Sequence, residues 1–118
     1  MAPDTLPEID VQTLAQKLAS SEPFILLDVR EPWELDAAHL TDSRLEVTPM
    51  SRLAREGTAA LSERAQAPDA NIFVMCHHGV RSADVTAWLA GQGWTNVVNV
   101  RGGIAAYAEQ VDPSVGSY

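Results

Sequence analysis

The sequence predicts an α/β fold, a parallel sheet of about five strands with helices on both faces. Short apolar runs recur at Phe24 to Leu27, Ile72 to Cys76 and Val97 to Val100, each rich in branched or aromatic residues, as strands covered on both faces tend to be. Helical patterns alternate with them, and that alternation implies right-handed crossovers between parallel neighbours. In such sheets ligands sit outside the carboxyl ends of the strands. The informative positions are therefore Asp28-Val29-Arg30, Cys76 to Arg81 and Arg101-Gly102-Gly103.

Each element follows from local signals. Asp10 caps a first helix that carries Val11, Leu14 and Leu18 on one face. Glu31-Pro32 and Thr48-Pro49 both read as helix starts, because proline suits the first helical position and pushes its predecessor out of the helical region. Residues 51–69, rich in Ala, Arg and Glu, hold one short helix. A further helix follows Cys76, with Val85, Trp88 and Leu89 on one stripe, and stops near Gly91 and Gly93. Trp33, Trp88, Trp94 and Tyr107 are expected in the core or against the sheet. Pro113 and Gly116 break a terminal stretch from Val111 to Tyr118. The expectation is one domain over 1–118, with a core at about 8–108 and a tail over 109–118.

Composition narrows the function. Of 118 residues, 46% are hydrophobic, enough for a core, and 16 acidic against 8 basic residues give a formal charge of -8. Such a surface repels phosphate backbones, so no nucleic-acid partner is expected. Met1-Ala2-Pro3-Asp4-Thr5 carries no basic region followed by an apolar stretch, and no segment reaches the ~20 apolar residues that span a bilayer. A cytoplasmic protein without a membrane partner is the expectation. The single cysteine cannot form an internal disulfide, in keeping with a reducing compartment.

Val74-Met75-Cys76-His77-His78-Gly79-Val80-Arg81-Ser82 carries the chemistry. It places a cysteine at the end of a buried strand and the mouth of a helix. Only four residues separate Cys76 from Arg81, one of them Gly79, so the chain must curl tightly and its amides can converge above the sulfur. The helix dipole and the Arg81 charge add to that field, which favours a thiolate and would also hold a persulfide or an incoming thiosulfate. A lone cysteine at a strand end is more often a small buried hydrophobe, but that reading gives no reason for Cys, Gly and Arg together at one turn.

The loop resembles the active-site loop of the rhodanese homology domain, cysteine, four residues usually including glycine, then arginine and often serine, with Cys76, Gly79, Arg81 and Ser82 in register. Leu27-Asp28-Val29-Arg30-Glu31-Pro32-Trp33-Glu34-Leu35 resembles the N-terminal signature of that family, and Ala38-His39-Leu40 lies near its usual glycine-histidine-isoleucine. Gly93-Trp94-Thr95-Asn96-Val97 and Gly102-Gly103-Ile104-Ala105-Ala106-Tyr107 resemble its C-terminal ones, and the match covers about residues 8 to 108. Thr41-Asp42-Ser43 departs from the usual proline-glycine-alanine at one pocket wall. Related cell-cycle phosphatases have one more loop residue, so the six from Cys76 to Arg81 favour sulfur over phosphate.

The resemblance implies a sulfurtransferase of the thiosulfate sulfurtransferase type, with Cys76 as nucleophile and persulfide carrier. The alternatives are a non-catalytic interaction module, which typically lacks the cysteine, and a phosphatase-like anion-binding domain. Amides of His77, His78, Gly79, Val80, Arg81 and Ser82 are expected around the substrate, with Asp28, Arg30 and His39 in support. Arg81 either faces the substrate anion or turns back on Asp28 or another carboxylate; the need of its charge for a partner favours the second. His39 hydrogen-bonds near the entrance or ties a loop down. His77 and His78 stand where many relatives carry Arg or Lys, and neutral imidazoles attract thiosulfate less, which points to a protein or small-molecule persulfide as donor unless both are merely tolerated loop residues. Expected partners are a small sulfur-containing anion or thiol and a sulfur-donor or acceptor protein. No cofactor is expected, nor a metal, since adjacent residues rarely ligate one tetrahedral ion and no Cys-x-x-Cys is present.

Overall fold

A computed structural model describes residues 6–118; Met1 to Thr5, and with them the expectation about a leader, lie outside the described residues. The strands are β1 (Glu8–Ile9), β2 (Ile25–Asp28), β3 (Leu45–Val47), β4 (Ile72–Met75) and β5 (Val97–Val100). They form one parallel sheet in the order β1-β5-β4-β2-β3. Central β2 and β4 are buried along their whole length, which explains the apolar runs Ile25 to Leu27 and Ile72 to Met75.

The helices are α1 (Val11–Leu18), α2 (Pro32–Leu35), α3 (Met50–Glu56), α4 (Val80–Gly91) and α5 (Gly103–Gln110). Two apolar clusters flank the sheet. One joins Ile25, Leu27, Ile72 and Val74 to Leu53 of α3 and Val85 and Leu89 of α4. The other joins Leu26, Phe73 and Val100 to Val11 and Leu14 of α1 and Ile104 and Tyr107 of α5. Alternating strand residues thus feed opposite layers, as a strand's two-residue period requires.

Asp10 caps α1 through Thr13 N at 2.8 Å, and α2 begins at Pro32, as expected. Three differences have local causes. Pro49 is the cap of α3 rather than its first residue. The stretch expected to hold one short helix also contains two 3-10 turns, at Gly57–Ala60 and Glu63–Gln66. Trp33 is 69% exposed rather than in the core, because four-residue α2 has no buried residue. Residues 109–110 end α5, and the following chain is anchored rather than free: Val111 and Val115 pack on the second cluster and Gly116 bridges Ala38.

Candidate active site

Cys76 leaves the carboxyl end of β4 and α4 begins four residues later, so sheet and helix fix the two sides of the turn. Gly79 makes the bend at φ 93, and a Cβ there would lie 2.9 Å from Gly102 N. This bend aims Gly79 N–H at Sγ from 3.1 Å, and Ser82 N–H approaches it at 3.3 Å. Six amides, His77 through Ser82, were expected around the sulfur; those of Gly79 and Ser82 are within hydrogen-bond reach of it. Cys76 itself is 1% exposed.

The floor of the loop is pinned by a second helix. Ile104 N and Ala105 N donate to the carbonyls of Cys76 and His77, each at 3.0 Å. Gly103 allows this approach: a Cβ there would fall 2.4 Å from Cys76 O and 2.5 Å from His77 O. With those carbonyls held by α5, the opposite side of the turn presents N–H groups to the sulfur.

Ser82 is fully buried, and its Oγ lies 3.3 Å from Sγ. That hydroxyl donates to Asn99 Oδ1 at 2.6 Å, while Asn99 Nδ2 donates to Gly79 O at 3.3 Å. Asn99 therefore touches both residues whose amides face the sulfur.

Arg81 turns away from the turn and meets Glu34 of α2 in a two-pronged pair, with both contacts at 2.7 Å. Its partner is thus a carboxylate other than Asp28, which is taken: Arg30 and Asp28, both fully buried, pair with each other at 2.8 Å. The Glu34 carboxylate also accepts from Glu31 N at 2.9 Å and from the Tyr118 hydroxyl at 2.9 Å. The Arg81 guanidinium is the main cause that holds the Glu34 carboxyl down at about 2, against burial, which pushes it up. Glu34 in turn raises Arg81.

Tyr118 closes one side. Its ring stacks on His77 with centroids 3.7 Å apart and planes 9° apart, and the His78 ring lies 3.9 Å beyond. Its hydroxyl accepts from Arg30 Nη1 at 3.2 Å as it donates to Glu34. A cavity of about 300 Å³ beside the loop is lined in part by His77, Ile104, Glu109, Pro113 and Tyr118. Burial, with repulsion from His78, lowers His77 below the ordinary imidazole value.

His78 and Val80 are exposed at the rim, Val80 at 70%. His39 is not gathered with these groups: it is exposed, lines a different cavity beside Asp42 and Val115, and ties its loop down through Nδ1 to Leu35 O at 3.1 Å and its own N–H to Val115 O at 2.9 Å. Asp28 and Arg30 support the site from beneath, through Tyr118 and the Glu34 carbonyl. Asn99 and Tyr118 are site neighbours outside every motif read from the sequence, and Glu34 lies within the N-terminal signature but was not singled out there as the partner of Arg81. The available signal was a lone Asn among valines at the end of a buried strand, a polar group that must find a partner.

The rhodanese-like domain family model matches residues 10–110. A sulfurtransferase of Allochromatium vinosum is 35% identical over 108 residues, covering 92% of this chain and 94% of that protein. The rhodanese-like/PpiC domain-containing protein 12, chloroplastic, of Arabidopsis thaliana is also 35% identical, over 98% of this chain, which spans 38% of that longer relative. Among solved structures, a rhodanese-related protein of Thermoplasma volcanium superimposes with a TM-score of 0.70 at 31% identity, covering 89% of this chain and 93% of its own.

Proposed function

Because the chain belongs to the rhodanese-like domain family, we propose that it acts as a sulfurtransferase that carries a sulfane sulfur on Cys76 as a persulfide. The observation that carries this reading is the pair of backbone N–H groups of Gly79 and Ser82 aimed at Sγ from 3.1 and 3.3 Å. They are fixed donors for an anionic sulfur in a site closed to bulk water, where such donors are worth most.

The reaction has two displacements. The Cys76 thiolate attacks the outer sulfur of a donor; in thiosulfate the sulfur–sulfur bond breaks and sulfite leaves with its electron pair, and in a persulfide donor the leaving group is a thiolate. The outer sulfur of the Cys76 persulfide is then attacked by a thiol, cyanide or an acceptor protein, and Cys76 departs as the thiolate it was. The N–H groups of Gly79 and Ser82 are the donors that meet Sγ when it departs as an anion.

Donor choice follows from charge. Arg81 is already neutralised by Glu34, and His77 is held neutral, so the loop offers thiosulfate little free positive charge. This supports a thiol-bound persulfide, on a protein or a small molecule, as the donor. Intact mass after treatment with glutathione persulfide tests the proposal: one added sulfur atom is expected on the protein and none on Cys76→Ser. Unchanged mass in the parent protein, with glutathione persulfide and thiosulfate alike, would overturn it.

A further inference from the structure

Asn99 sits on β5, 3% exposed, where the strand's other residues are valines. Burying an amide costs free energy unless its groups are bonded, so its placement must be accounted for by its partners. Those partners fix its orientation. Gly79 O can only accept, so the atom facing it is Nδ2, and the atom facing Ser82 is therefore Oδ1.

A hydroxyl has one proton, and at 2.6 Å from Oδ1 that proton belongs to the Asn99 contact. Ser82 Oγ consequently turns lone pairs toward Sγ at 3.3 Å. This suits a thiol, which donates its S–H. It does not suit a thiolate or persulfide anion, which has nothing to donate and meets only lone pairs. For Ser82 to serve the anion its proton must swing to sulfur, and Oδ1 is then left bare in a buried place, a costly vacancy.

We infer that Asn99 is a positioning residue for the sulfur chemistry: by taking the Ser82 proton, it holds the hydroxyl as an acceptor toward Cys76 and restrains formation of the anionic sulfur. The chain of donors runs from Sγ–H to Ser82, from Ser82 to Asn99 and from Asn99 to the carbonyl of Gly79, so the same side chain also holds the turn. The inference rests on the reading of Cys76 as the reactive thiol, and its test reads that thiol directly, so a failure of sulfur transfer would leave the result interpretable.

The experiment is the rate of Cys76 alkylation by iodoacetamide between about pH 5 and 10, followed by intact mass, for the parent protein, Asn99→Leu, Ser82→Ala and the double variant. Asn99→Leu frees the hydroxyl to donate to the anion, and the midpoint of the profile is expected to move down by about one pH unit, the size of one hydrogen bond gained by a charged group. Ser82→Ala removes the acceptor for S–H and should move the midpoint down as well. In the Ser82→Ala background, Asn99→Leu should add little. A midpoint raised by Ser82→Ala would show that the hydroxyl already donates to sulfur and would overturn the inference. So would an Asn99→Leu shift of the same size in both backgrounds, because the effect would then pass through Gly79 alone. Should Asn99→Leu fail to fold, Ser82→Ala by itself still decides between the two directions.

Discussion

Glu34 and Arg81, 47 residues apart in sequence, meet through two contacts of 2.7 Å, and this pair ties α2 to the first turn of α4 beside Cys76. Glu34→Ala removes one partner and leaves the Arg81 guanidinium, about a third exposed, without its carboxylate. The expected loss is about 2 kcal/mol, read from urea unfolding, together with faster alkylation of Cys76 as the turn loosens. Equal stability of variant and parent would show that solvent replaces the pair without cost.

The same pair makes stability depend on acid. The Glu34 carboxyl is held near 2 in the folded protein, below its ordinary 4.5, first by its hydrogen bonds to Arg81. A depressed carboxyl contributes stability that is complete above its unfolded value and lost as pH falls toward the folded one. The contribution should therefore fade from pH 4.5 down to about 2. Urea midpoints measured across that range should fall more steeply in the parent than in Glu34→Gln, which cannot titrate.

Gly103→Ala tests the contact between α5 and the turn. Its Cβ would meet the carbonyl oxygens of Cys76 and His77 at 2.4 and 2.5 Å, and the residue sits at φ 61, where a side chain is strained. Backbone on the other side cannot yield as a flexible side chain would. A loss of roughly 2–4 kcal/mol is expected from strain and overpacking together. Thermal unfolding measures it, and an unchanged Tm would contradict this account.

Tyr118→Phe keeps the stack on His77 but removes the hydroxyl that joins Arg30 to Glu34. It should cost about 1 kcal/mol in urea unfolding. Tyr118→Ala removes the ring as well. His77, lowered mainly by burial, should then titrate closer to its ordinary 6.5, as followed by the NMR shift of its imidazole Cε1 proton. A His77 midpoint that stays put would place the cause of the shift elsewhere.

Much of this fold was legible because its central strands are buried on both faces. Ile72–Met75 and Val97–Val100 stand out as apolar runs, and Asp10 and Pro32 announce their helices. The edge strands were not. Glu8–Ile9 has two residues and Leu45–Val47 three, too short for a period to stand out; pairing with β5 and β2 makes them strands. At the site, the curl of the Cys76 loop followed from Gly79 and the short spacing to Arg81. The partners of its supports did not, because Glu34, Asn99 and Tyr118 act across 47, 17 and 84 residues, and local sequence does not say which distant residue each will meet.

The anchoring of Tyr118 over His77 has a consequence for biosynthesis. Translation delivers this tyrosine 88 residues after Arg30 and 84 after Glu34, the two groups its hydroxyl joins. Every strand of the sheet and all five α-helices lie before it in the chain, the last of them ending at Gln110. A chain cut short of Tyr118 therefore lacks the ring that covers His77. Protease cleavage after Pro113 would leave a finished molecule uncovered in the same way.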